Sequence, residues 1–138
     1  MPGFYNFMLQ AHSGWRWLVL LIVVIAIIKF VIGWLAAQKW TNLDTNLMRI
    51  TNWVVTIQVV LGILLYILIL FQGRSNIVSF TLSHALPALL ALGGVGFALA
   101  RSRKASGDRQ KFMFASIGLI AAMVLIYGAL VTVGGIFA

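Results

Sequence analysis

Four long apolar runs, separated by short polar connections, organise this chain. The first extends from about Trp15 to Ala37 and the second from Asn52 to Phe71; the third runs from about Ser83 to Ala100 and the fourth from Phe112 to about residue 136. Each is close to the ~20 residues that carry a helix across ~30 Å of hydrocarbon. The connections "AQKWTNLDTNLMR", "QGRSNIVSFTL" and "RSRKASGDRQK" are short enough to make successive helices antiparallel neighbours. The pattern predicts an all-α membrane protein: an up-down bundle of four transmembrane helices forming a single membrane domain over residues 1–138. An interfacial turn containing Phe4, Tyr5 and Phe7 is expected ahead of the first helix.

Composition agrees with that pattern. The chain is 62% apolar and 9% charged, whereas about a quarter of a soluble domain is charged. No linker or soluble module is left over, so any large catalytic domain is expected on another chain. With no cysteine, disulfides, thiolate metal sites, iron–sulfur clusters and cysteine nucleophiles are excluded together. The start, "MPGFYNFMLQAHSGWRW", lacks the basic region and small-residue cleavage site of a secretory signal, so the first apolar segment is expected to stay as an anchor.

Charge adds an orientation. The net charge is +8, and five of the ten basic residues (Arg101, Arg103, Lys104, Arg109, Lys111) lie in the third connection. Such placement is the signature of a cytoplasmic loop meeting anionic headgroups, not of a nucleic-acid surface. The first connection carries Lys39 and Arg49, the second only Arg74. The first and third connections are therefore expected inside and both termini outside. Trp15 and Trp17 are expected in the outer aromatic belt, and Trp34, Trp40 and Trp53 in the inner one. Lys29 and the five-residue cluster are the candidate contacts to lipid or to a partner subunit.

Few polar groups fall within the runs, and each needs a reason. Lys29 would cost about 3 kcal/mol at the bilayer centre. Asp44 and Asp108 both read as loop residues, so Lys29 is expected to snorkel to the inner headgroups. A partner-chain acid, a lipid phosphate, or a proton or ion pathway are the alternatives. Gln58 is expected either to join two helices or to meet a quinone carbonyl. His12 and His84, the chain's only histidines, open the first and third runs. Lys29 and Arg101 follow them at the same separation, about 25 Å of helix at 1.5 Å per residue, which sets the two histidines at similar depth. They are either interfacial or capping residues, or the two axial ligands of one b-type haem. Arg16, one turn after His12, would then face a haem propionate. Two histidines without cysteine are too few for an ordinary zinc site. Gly93, Gly94 and Gly96, with Gly118, Ala122 and Ala129, are small residues suited to close helix packing.

The stretches "HSGWRWLVLL", "LDTNLMRITNWVVTIQVVLGILLYI", "SHALPALLAL" leading into "ARSRK", and a final glycine-containing apolar helix, taken in this order, resemble small bacterial four-helix integral membrane proteins described as cytochrome b-like. The resemblance covers nearly the whole chain. It implies an electron-transport setting and singles out His12, Arg16, Gln58 and His84. Two positions depart from the pattern: relatives often have an acid where this chain has Ser83, and a further histidine where it reads "GGVGFALARSR".

The expected function is an accessory subunit of a respiratory or photosynthetic electron-transfer complex in the bacterial cytoplasmic membrane, beside a quinone or lipid site. No catalytic activity of its own and no cofactor are expected; any activity would be electron transfer within an oxidoreductase complex. The alternative is a redox protein carrying one bis-histidine b haem near the outer face. Expected partners are membrane lipids, a larger integral redox complex and a quinone, but no nucleic acid.

Overall fold

A computed structural model describes residues 2–71 and 81–131. It contains helices α1 (Pro2–Leu35), α2 (Asn42–Phe71), α3 (Leu86–Lys104) and α4 (Asp108–Val131), with a π-helical turn, Thr81–Ala85, leading directly into α3. There is no strand among the described residues. All four helices are long and apolar enough to cross a membrane. The second connection's residues 72–80, with Arg74, and the expected end of the fourth run lie outside the described residues.

Each helix packs on two neighbours, in the cyclic order α1, α2, α3, α4. Inward positions recur at helical spacing: Val19, Val23, Ala26 and Phe30 on α1, and Met48, Thr51, Val55 and Val59 on α2. Ala91, Val95 and Ala98 on α3 meet Phe112, Ala115, Leu119 and Ala122 on α4. The outward faces are just as apolar, with Leu21, Ile25, Ile28, Ile63, Ile67, Leu90 and Val124 all exposed. Helices apolar on every side suit hydrocarbon on the outside and side chains on the inside.

Two helices begin earlier than hydropathy suggests. The Phe4–Tyr5–Phe7 stretch is not a separate interfacial turn but the first part of α1. Likewise, α2 starts ten positions before Asn52, at Asn42. Its first turns hide Asp44, Met48 and Thr51 while exposing Asn46, Arg49 and Trp53. The local cause is a cap at Thr41, whose backbone N–H donates to Asp44 Oδ2 at 2.9 Å, one half of a capping box. Apolar runs report where a helix meets lipid, not where its hydrogen bonds start.

Asp44 is therefore a helical residue, and it corrects the reading of Lys29. Lys29 Nζ donates to Asp44 Oδ1 at 2.7 Å, and the carboxylate is completely buried. The ammonium also lies 5.4 Å from the centre of the Phe112 ring. Lys29 thus does not depend on snorkelling, because its countercharge comes from the neighbouring helix of the same chain. The aromatic wall beside it is Phe30, Trp40 and Phe112, with Phe30 and Trp40 stacked at 5.2 Å.

Trp15 departs from its expected role as well. Its indole N–H donates to Val54 O at 2.8 Å, which puts Trp15 and Trp53 at one level. They cannot stand in opposite aromatic belts, and Trp15 serves as a link between α1 and α2.

The end of α1 shows a local strain. Gln38 N–H donates to Gly33 O at 2.9 Å and Ala37 N–H to Trp34 O at 3.4 Å, the bonding of a Schellman cap. That cap requires a left-handed residue, and here it is Ala37, with φ of 53°. An L-residue with a Cβ pays about 1–2 kcal/mol in this region, and glycine does not. Ala37→Gly is expected to raise stability by about 0.5–1 kcal/mol after the extra entropy of the unfolded chain is deducted, measured by thermal unfolding in detergent. A destabilised variant would contradict this account of the cap.

Candidate functional site

Toward the other end of the α1–α2 pair from Lys29 and Asp44, the helices enclose a cavity of about 730 Å³. His12, Arg16, Gln58 and His84, the four residues singled out in the sequence, all line it. Val19, Val55, Val59, Leu65, Ala91 and Leu130 supply much of the apolar wall. A pocket of that size with a few convergent polar groups has the makings of a small-molecule or cofactor site.

The two histidines approach across the bundle. Their ring centroids are 6.4 Å apart and the planes are nearly perpendicular, at 81°. A metal–imidazole bond is about 2.0–2.1 Å. Adding about 1.1 Å from nitrogen to ring centre on each side, two imidazoles on one metal place their centroids about 6 Å apart. The observed separation fits that arrangement.

Each ring is held differently. His84 sits in the π-helical turn, and its Nδ1 pairs with Ala129 O of α4 at 2.8 Å. Pro87 explains the turn: it cannot donate to the carbonyl four residues back, and its ring would crowd that carbonyl. The helix starts upstream of Pro87 and widens before it, which carries the His84 side chain toward α4. A π turn inside a helix is a frequent device for aiming one functional side chain. Orientation by a carbonyl also fills the role left open by Ser83, where an acid is absent. A carbonyl held against one ring nitrogen is the kind of contact that sets the orientation of a ligating imidazole.

His12 is fixed through its backbone. Gln58 Nε2 donates to His12 O at 3.0 Å, so the amide does join two helices, as interhelical amides commonly do. His12 Nδ1 and Gln58 Oε1 are buried with no hydrogen-bond partner among the described residues. Leaving such an atom unpaired costs about 1–3 kcal/mol, which a metal bond or an ordered water would relieve. Gly62 makes room for this ring: a Cβ there would stand 3.1 Å from His12 Cε1. Arg16 lies on the cavity wall, with its guanidinium 5.3 Å from the Trp17 ring centre.

Sequence reasoning missed Gly62, Tyr66, Thr81 and Ala129. Gly62 follows Gln58 by one helical turn and could have been placed on its face. Tyr66 bonds Thr81 at 2.8 Å between their hydroxyl oxygens, on the same cavity wall. Ala129 acts through its carbonyl, which no residue type announces.

The remaining candidates divide. Arg103 and Lys111 line a crevice at the α3–α4 turn, Arg101 lies 5.0 Å from the Phe114 ring centre, and Lys104 and Arg109 are exposed. None of the five reaches the histidine cavity. Among the described residues no three His, Cys, Asp or Glu side chains converge. Two imidazoles alone could hold a metal only where another group completed its ligand set. Compared with known proteins, the chain matches no protein-family model, no curated protein and no solved structure.

Proposed function

We propose that this chain is a membrane redox protein whose His12 and His84 hold one b-type haem. The observation that carries the reading is the 6.4 Å approach of the two imidazoles within one largely apolar cavity. When bound, haem supplies a one-electron ferric–ferrous couple. Ala129 O orients the His84 ring through Nδ1, and Gln58 keeps the α1 backbone at His12 in place. Arg16 brings a cation for the acidic side chains of the macrocycle. The apolar part of the wall would lower the polarity around the bound group, which helps to set its reduction potential.

The proposal places the chain in the bacterial cytoplasmic membrane as an up-down bundle, with both termini outside and the α1–α2 and α3–α4 turns inside. Support comes from the order of contacts. Along α1, His12, Trp15 and Lys29 meet Gln58, Val54 and Asp44 of α2 in descending order. Along the π turn and α3 the partners of His84 and Ser102 descend from Ala129 to Lys111. Five basic residues gather at the α3–α4 turn. Membership in a larger respiratory or photosynthetic complex accords with this reading, which differs from that of a haem-free accessory subunit in passing electrons through the chain itself.

A reduced-minus-oxidised visible spectrum of the purified protein tests it. The expected result is b-type bands in the wild type, lost in His12→Ala and in His84→Ala while the helical circular dichroism is retained. Gly62→Ala, which presses on the His12 ring, should lower haem retention with little loss of helix. Haem-free protein co-purifying stoichiometrically with a larger complex would overturn the proposal in favour of an accessory subunit. Stoichiometric quinone in place of haem would overturn it in favour of a quinone site.

A further inference from the structure

Where the α1–α2 and α3–α4 turns meet, a crevice of about 300 Å³ is lined by Trp40, Thr45, Ser102, Arg103 and Lys111. Residues from four parts of the chain converge there, and two of the five are cations. Lys111 Nζ donates to Ser102 O at 2.8 Å and to Arg103 O at 3.4 Å. The ammonium is thereby pinned over the negative end of α3, and a three-donor group bonded to two carbonyls keeps one donor for another acceptor. Trp40 Nε1 donates to Thr45 Oγ1 at 2.8 Å. That hydroxyl accepts from the indole and so has its own proton to give.

No carboxylate lines the crevice. Asp44, adjacent to Thr45 in sequence, is buried against Lys29 and Thr41. Arg103, Lys111 and Thr45 together present donors and positive charge, the chemistry that recognises a phosphate ester. The setting indicates its source. The crevice caps helices long and apolar enough to cross a membrane, and Leu35 and Leu43, which flank the α1–α2 turn, expose 78% and 65% of their surface. A headgroup anchored by acyl chains has apolar surface to lie on, which a free phosphate does not use.

We propose that this crevice binds one phosphate group, carried by an anionic phospholipid of the surrounding membrane. The proposal narrows the broad basic surface to two cations. Arg103 and Lys111 form the site, while Lys104 and Arg109 only add to the surrounding field.

Native mass spectrometry of delipidated protein, titrated separately with phosphatidylglycerol, phosphatidylcholine and inorganic phosphate, provides the test. One phosphatidylglycerol per chain should bind saturably, with weaker retention of phosphatidylcholine and none of phosphate at equal concentration. Losing a charge-assisted hydrogen bond in Arg103→Gln or Lys111→Gln should weaken that binding about tenfold or more. Lys104→Gln and Arg109→Gln remove the same charge outside the crevice and should change it about threefold or less. Because Lys111 also caps α3, Arg103→Gln and Thr45→Val serve as the variants that leave the cap intact. Equal weakening by all four charge removals would overturn the site in favour of a diffuse basic field. Competition by inorganic phosphate at matched concentration would overturn the lipid as its source.

Discussion

Asp44→Ala is expected to be among the most damaging single substitutions in this protein, costing about 3 kcal/mol or more. The carboxylate is fully buried and accepts from Lys29 at 2.7 Å, from Thr41 N–H at 2.9 Å and from Thr41 Oγ1 at 3.2 Å. Alanine removes all three bonds, uncaps α2, and leaves a half-buried ammonium without its countercharge. Burying a charge without its partner is what makes broken ion pairs costly, whereas removing both partners is often nearly neutral. The double variant Asp44→Ala with Lys29→Met should therefore recover much of the loss and retain only the cost of the missing cap, about 1 kcal/mol. Asp44→Asn should fall between, because it keeps an acceptor for Thr41 and loses the charge. Thermal unfolding in detergent measures all three. A double variant no better than Asp44→Ala would show that the pair is not the source of the effect.

Gly118→Val should be comparably severe, for a steric reason. A Cβ at Gly118 would stand 2.7 Å from Gly94 O, 2.7 Å from Ala98 Cβ and 2.9 Å from Ala98 N. Two of those neighbours are backbone atoms, which cannot rotate away, so α3 and α4 must separate. Overpacking a well-filled interior costs about 1–3 kcal/mol, and a branched side chain against backbone belongs at the upper end. The separation would also pull Ala129 O from His84 Nδ1, now 2.8 Å away, so retention of the proposed haem should fall with stability. Gly93→Ala and Gly96→Ala provide the contrast. Nothing lies within 4 Å of a Cβ at either position, and both should be neutral within about 0.5 kcal/mol. Equal tolerance at all three glycines would remove close α3–α4 packing as the reason for Gly118.

The four helices were legible because the runs needed to cross hydrocarbon leave almost no room for other structure. His12, Arg16, Gln58 and His84, which line one cavity, stood out because a polar group in or at the mouth of a long apolar run is conspicuous. The early start of α2 was less so: its outward polar residues lower the hydropathy, and only the Thr41–Asp44 spacing marked the cap. That same error concealed the countercharge of Lys29, since a residue assigned to a loop was not considered as a partner for a half-buried cation.

By itself, then, the amino-acid sequence determined an all-helical chain with four helices able to cross a membrane and a short set of polar residues that each require a reason. Tertiary structure decided the pairings: Lys29 with Asp44, Trp15 with Val54, and His12 within 6.4 Å of His84. It also decided which groups orient the histidines, for Gln58 bonds a backbone carbonyl and Ala129 supplies one. The physical reason is that hydropathy records how each residue exchanges with water one position at a time. Distances between helices depend on small residues such as Gly118 and on main-chain oxygens, whose presence at every position makes them invisible in a pattern of side chains.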